Sequence, residues 1–490
     1  MKYIKYLATS VFCLIFLASC GEKFMEVNNT EYLDDKSGTM KAYILGACAF
    51  MVKTDISGDE AHDDFSHMSV LHSTDLMGQD IALSAPHWFV YDYDHDNHEN
   101  NYRRTKVDWL TYYNIIATAN QIINCSITEK PTTPESKGLL AHGYALRAFA
   151  YYYLIQLYQH PVTASGEVNY DAPGVPMLFC EVDSLTNEEA TEKKGRNTVR
   201  EVYEQIEKDL MKAVQLFSAG YKRPSKIFMD LSVANGLLAR YYLLSQQWQK
   251  AADAAAAAYE DYTLDSKSSD KFVDIEHPEW MWGFDQSEET QTTVASFFSH
   301  ISSLSPGYAG YAYSVRLIDR SLYEAIPETD YRKKWFNGAE QDTTQKMAAA
   351  KLPYANLKFG WIAGWLMDYM YMRVPEMYLI QAEALAHLDN TTGAADALRP
   401  LMALRDPGWH KTSMTVDEIY FQRRIELWGE GFSFFDLKRL NKGINRNYSG
   451  TNHLVGYRKV IAPLDKTWVY QIPLQEMQEN TQLTATDQNE

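Results

Sequence analysis

Paired helical stripes, broken at short polar turns, constrain this chain more than any other feature. In "NTVREVYEQIEKDLMKAVQLF", Val202, Ile206, Leu210, Ala213 and Phe217 recur at helical spacing and fall on one face. Thr198 and Glu201 have the spacing of a capping box and mark where that helix begins. The run "SVANGLLARYYLLSQQWQKAADAAAAAYEDY" from Ser232 reads as two helices joined near Ser245–Gln247. Its second half is alanine-rich, so a neighbouring helix can come close. "RVPEMYLIQAEALAHLDNTTGAADALRPLMALR" has the same form: Pro375 suits a first helical turn and "DNTTG" is the break. "KVDWLTYYNIIATANQIIN" and "GLLAHGYALRAFAYYYLIQLYQ" make a further pair around "TEKPTTPESK". Pairs of about 34–45 residues have tetratricopeptide-like spacing, and each can bury its apolar face only against a neighbour. The expected fold is therefore mostly α, a curved stack of helical pairs mainly at 105–260 and 371–440.

Less regular segments rich in Tyr, Trp, Asp, Gly and Pro lie between, mainly at 60–104 and 265–370, and again at 441–490. They predict loops, short helices and a few short strands, with "WVYQIP" (Trp468 to Pro473) as one strand. No linker is polar enough to separate two domains, so 20–490 reads as a single domain.

The first residues have a different character. Lys2 and Lys5 precede a short apolar run from Val11 to Leu17, too short to span a bilayer, which reads as a secretory signal. It closes in Leu17-Ala18-Ser19-Cys20, similar to a bacterial lipobox. The expectation is that 1–19 is removed and that Cys20 carries the lipid that anchors the chain to a membrane. A net charge of −18 disfavours phosphate backbones and anionic headgroups, and nucleic acid is not an expected partner. Cys48, Cys125 and Cys180 are odd in number and widely spaced, which fits neither a disulfide scaffold nor a zinc motif. They read as small buried hydrophobes, with one optional disulfide left open.

The stretch "HWFVYDYDHDNHENNYRR" (87–104) concentrates acids, histidines and rings. Asp92, Asp94 and Asp96 match three positions of a calcium loop, but Asn97 and Arg103 stand where a glycine and a bidentate glutamate belong. His62, His67, His72, His95 and His98 match no compact metal-ligand pattern. No nucleophile elbow, phosphate-cradling loop or dinucleotide fingerprint is present, so neither a catalytic residue nor a cofactor is expected. Hydrolysis of a glycosidic bond needs two carboxylates held in different protonation states, and nothing marks such a pair.

An aromatic surface fits better, because the C–H face of a sugar packs on Trp and Tyr rings while its hydroxyls need polar neighbours. Trp88, Tyr91 and Tyr93 with Asp75, Asp92 and Asn97 supply this mixture, and Tyr308, Tyr311 and Tyr313 of "SPGYAGYAYS" supply more. In an extended chain, Trp88, Val90 and Asp92 would face one side, and Phe89, Tyr91 and Tyr93 the other. Trp361 and Trp365 read as core, although Gly360 and Gly364 would permit a flexible loop. Arg423, Arg424, Glu426 and Glu430 are spaced to bridge along one helix, a fold-holding network, as are Arg373 and Glu376 around Pro375.

"LRAFAYYYLIQLY" from Leu146, "GVP" at Gly174 to Pro176, "YMRVPEMYLIQAEAL" from Tyr371 and "RRIELWGEGFSFFDLKRL" from Arg423 together resemble the SusD/RagB family. The middle helix from Gly195, "IPLQEMQEN" near the end and Cys20 agree. Two departures are Ser433, where members often carry Arg, and the closing "TDQNE". The resemblance implies an outer-membrane surface lipoprotein that captures glycans, or peptides in the RagB branch, over a SusC-like TonB-dependent barrel. It implies a hinged lid that is not an enzyme, with four tetratricopeptide-like pairs under ligand-binding loops. The alternatives are a peptide-binding lid of the same transporter type and a surface glycoside hydrolase.

Overall fold

The computed structural model describes residues 36–128, 130–179, 195–265 and 271–490. The leader, the proposed lipid-bearing Cys20 and Cys180 lie outside the described residues. The chain enters with α1 (Lys36–Phe50), makes a buried helix α2 (Ser66–Met77) and reaches α3 (Arg103–Thr128). α4 (Pro134–Tyr158), α5 (Val199–Phe217), α6 (Leu231–Leu244), α7 (Trp248–Tyr259), α8 (Val374–His387) and α9 (Thr391–Arg405) follow. Packing runs in one order: α1 on α3, then α4, α5, α6, α7, α8 and α9. This is the stacked array that the stripes predict.

Local chemistry sets the boundaries. Thr198 Oγ1 accepts from the Glu201 N–H at 3.2 Å, and the Glu201 carboxylate accepts from the Thr198 N–H at 2.7 Å. That reciprocal cap satisfies two donors that the first helical turn leaves unpaired. Asp230 caps α6, and Pro375 occupies the first turn of α8, where a missing N–H costs nothing. Ala251, Ala252, Ala255 and Ala258 of α7 are buried, and their small side chains let α6 and α8 close on it. Gly143 does the same for α4 and α3: a Cβ there would lie 2.9 Å from Ile123 and 3.1 Å from the Ala119 carbonyl. One apolar cluster runs from Met40 to Leu483, and a smaller one joins α8, α9 and α10 (Val416–Glu426).

Short antiparallel ribbons carry the insertions. β1 (Ile81–Leu83) pairs with β3 (Arg316–Ile318), Ile81 opposite Ile318; β2 (Trp280–Phe284) pairs with β4 (Tyr369–Arg373). Two expectations fail here. Trp468 to Pro473 is not a strand. Lys466–Trp468 is a 3₁₀ turn that the Val469 N–H closes on the Lys466 carbonyl, and the N–H groups of Tyr470 and Gln471 donate to the carbonyls of Leu157 (3.0 Å) and His98 (2.7 Å). Its backbone is satisfied by a helix end and a loop, with no ladder. Trp361 is not core either: it is 37% exposed, and Trp365 is half-buried. Left-handed φ values at Gly364 (80°) and Trp365 (59°) turn this loop towards solvent.

The charged patch is fold-holding, but its geometry differs from the expected bridging along a helix. α10 ends at Glu426, and Glu430 lies beyond it in a turn with left-handed glycines at 429 and 431. Each side chain therefore reaches across to another element. Glu426 accepts from Arg373 Nη1 (2.6 Å), Arg332 Nη1 (3.1 Å) and Arg405 Nε (3.2 Å). Glu430 accepts from Arg373 Nε (2.8 Å) and Lys358 Nζ (2.5 Å), and Glu279 accepts from Arg405 Nη2 (2.9 Å). Arg423 pairs with Asp436, Arg424 with Asp80, and Glu376 with Arg240 rather than Arg373. This buried hub ties the 265–370 insertion to the C-terminal helices, and so fixes the loops above it.

Candidate functional ring cluster

Of the polar residues expected at the aromatic surface, Asp75, Asp92 and Asn97 are interior, 3%, 2% and 1% exposed, and so is Tyr93 at 0%. Each is committed to the fold. Asp75 accepts from the N–H groups of Gly431 (2.8 Å) and Ser433 (3.0 Å). Asp92 pairs with Arg104 Nε at 2.8 Å and accepts from Asn97 Nδ2 at 2.7 Å. Tyr93 places its hydroxyl 2.5 Å from His453 Nδ1, under the Arg446 guanidinium. Asp94 turns to Lys459, and Asp96 accepts from the Tyr102 hydroxyl, so the three carboxylates of the partial calcium pattern diverge.

The reason is a change of backbone conformation that alternation does not foresee. Phe89 sits in the left-handed region (φ 68°, ψ 11°), and Val90–Tyr93 form one helical turn. Residues two apart in a helix lie on opposite faces, so Tyr91 is 62% exposed while Tyr93 is buried. The strained reversal also sends Phe89 inward and leaves Trp88 half-buried at the surface. Ala312 (φ 63°) performs the same reversal between Tyr311 and Tyr313, which are 59% and 58% exposed. Strain of this kind persists where the surroundings impose it, often at ligand sites.

The β1–β3 ribbon brings the two loops together. Ser84 and Val315 exchange hydrogen bonds just beyond the paired strands, and Ser314 Oγ donates to the Ala85 carbonyl at 2.7 Å. Past these bonds the rings converge. His87 lies 4.9 Å from Tyr308, 5.9 Å from Tyr313 and 6.2 Å from Trp88, centroid to centroid. His62 stands 5.5 Å from Trp88, and its Nδ1 is 2.5 Å from the Tyr308 hydroxyl. Beneath, buried His300 stacks on Tyr308 at 4.9 Å and is 2.7 Å, through Nε2, from the His62 carbonyl. Burial, then the Arg316 charge, lowers the pKa of His87 and drives that of His300 well below the usual value. Two of its imidazoles, those of His87 and His300, are thus held uncharged at neutral pH, which suits them to stacking.

Trp88, Tyr308 and Tyr313 of the expected set are brought together. Tyr91 pairs with Tyr102 at 6.5 Å, and Tyr311 projects into solvent. His62, His87 and His300 complete the cluster; His87 adjoins Trp88 in sequence, whereas nothing local marked His300. Asp75 and Asp108 have pKa values raised by burial to about 7 and about 8, yet both are enclosed by protein and cannot meet a solvent-borne substrate.

Residues 29–243 match the family model described as starch-binding, associating with outer membrane, and residues 322–490 match that of the SusD family. The chain belongs to the SusD/RagB family. It is 26% identical over 389 residues to SusD-like protein P2 of Formosa agariphila, covering 68% of this SusD/RagB chain and 71% of that one. A SusD-like carbohydrate binding protein from Bacteroides vulgatus superposes with TM-score 0.78 at 25% identity, covering 93% of this chain and 98% of the other. A surface glycan-binding protein A from Bacteroides fluxus shares the SusD/RagB fold, with TM-score 0.65 at 17% identity and coverage of 92% and 98%. Among the described residues no helix is long and apolar enough to cross a membrane.

Proposed function

We propose that this protein binds an oligosaccharide on the ring cluster at the cell surface and delivers it, uncleaved, to a SusC-like TonB-dependent barrel. The observation that carries this reading is the meeting of two separated loops in one set of partly exposed rings. Sugar C–H faces stack on such rings without needing charge, and rigid aromatics give contact area at low entropic cost. The names of the B. vulgatus and B. fluxus relatives point the same way.

Incubation with soluble glycans followed by chromatography tests it. Retention of intact oligosaccharide is the expected result. Product release at catalytic rates would make the protein a hydrolase, and capture of peptides alone would make it a peptide-binding lid. Anchoring rests on Cys20. The Cys20→Ser form is expected to be largely lost from the membrane fraction, because the acyl chains are its proposed hold on the bilayer. A variant that fractionates with the membrane as before would remove lipidation from the proposal.

A further inference from the structure

Arg316 is buried to 0% exposure in β3, and no carboxylate pairs with it among the described residues. Its Nε donates to His72 Nε2 at 3.0 Å and its Nη1 to the Ser314 carbonyl at 2.6 Å. Its Nη2 is buried with no hydrogen-bond partner. Other buried arginines are treated differently. Arg332, Arg373 and Arg405 meet carboxylates, and Arg446 donates to carbonyls from all three of its nitrogens. Arg240 and Arg423 also have an idle nitrogen, but each holds a carboxylate. Among the described residues, Arg316 alone combines an unpaired charge with an unused donor. A buried charge is costly unless compensated, and an apolar side chain would fill the space at less cost.

Its position gives the charge a use. The His72 ring that accepts from Arg316 lies 6.1 Å from His300, which stacks on Tyr308. Phe89 bridges the same gap, 5.9 Å from the guanidinium and 5.0 Å from His300. Arg316 is also the charged group that acts on His87. Burial lowers the guanidinium pKa to about 9, so it stays protonated at pH 7, while His72 and His300 are held neutral. Asp92 is the carboxylate that acts on Arg316, but it is already paired with Arg104. Beneath the ring cluster, Arg316 is therefore a cation with no carboxylate partner of its own among the described residues. The chain's −18 does not override it, since exposed charges beyond a Debye length, about 8 Å at physiological salt, are largely screened.

We propose that the ring cluster prefers an oligosaccharide carrying an anionic group, a carboxylate or a sulfate ester, with Arg316 as the electrostatic determinant. This rests on the reading of the cluster as the binding site. Calorimetry on the intact protein with three length-matched probes tests both: a neutral β-glucan oligosaccharide, an oligouronate and a sulfated galactan oligosaccharide. The expected result is about tenfold tighter binding of an acidic probe than of the neutral one at low salt, an advantage that shrinks as salt screens it. The uronate and sulfate arms show which acid is preferred. Arg316→Gln should erase the advantage of the acidic probes over the neutral one, and Arg316→Lys should retain most of it. If Arg316→Gln fails to fold, the wild-type salt series still decides. Equal binding of all three probes, an advantage that grows with salt, or one that survives Arg316→Gln would overturn this inference and leave the glycan-binding reading intact. No binding of any probe would overturn both.

Discussion

Glu426→Gln should destabilise the protein by at least about 3–5 kcal/mol, the range for breaking a buried ion pair. The isosteric change removes one negative charge and little volume, so the effect isolates electrostatics from packing. Four cations (Arg332, Lys358, Arg373, Arg405) and four carboxylates (Glu279, Asp330, Glu426, Glu430) balance within the hub. The neutral amide would leave an unmatched cation where water cannot reach it. Glu426 serves three guanidinium groups, so the loss should sit at the top of the range. An exposed pair is the control: Arg320–Glu324, with side chains 43% and 53% exposed, is screened by solvent, and its loss should leave stability nearly unchanged. Urea midpoints of Glu426→Gln, Glu324→Gln and wild type measure both; similar midpoints for the two variants would show that the hub is not fold-holding.

The same carboxylate predicts a pH signature. Burial pushes the Glu426 pKa up, but Arg405, Arg373 and Arg332 hold it well below the usual carboxylate range. A carboxylate depressed in the folded state stabilises above its unfolded pKa, and that stabilisation is lost as pH falls towards the folded value. Wild type should therefore lose stability on acidification below about pH 4.3, the ordinary glutamate value, with a steeper slope than Glu426→Gln.

Local signals carried the scaffold into the sequence, and long-range partners hid much of the site. The helices were legible because period, caps and breaks lie within a few residues of one another, as at Thr198 and Glu201. Trp88, Tyr308 and Tyr313 were legible by residue type and by their place on turn-rich loops. The burial of Asp75, Asn97 and Tyr93 was not, because the partners that claim them lie far along the chain, at Gly431, Tyr470 and His453. His300 and Arg316 come from segments distant from Trp88, and only the β1–β3 register and the fold place them beneath it. Trp361 escapes the core for a simpler reason: a tryptophan favours the interior, but the left-handed turn at Gly364 and Trp365 carries the loop outward.

Trp88→Ala and Tyr313→Ala should each weaken oligosaccharide binding by about 30-fold, the effect of losing a hot-spot ring worth about 2 kcal/mol. Both rings flank His87, so a sugar stacked on one is within reach of the other, and their losses should not add. A double variant less than about 100-fold weaker than wild type would show that coupling. Tyr91→Ala is the discriminating comparison. Tyr91 is the more exposed ring but belongs to a separate pair with Tyr102, so its loss should change affinity by less than about threefold. Exposure alone would rank Tyr91 first; convergence with His62 and His87 ranks Trp88 first, and titration of the three variants with one glycan decides between them. Tyr308→Phe adds a finer test, because it keeps the ring and removes the hydroxyl that holds His62. A several-fold loss there, with stability unchanged, would mean that the platform is held in place by its own hydrogen bond before the sugar arrives.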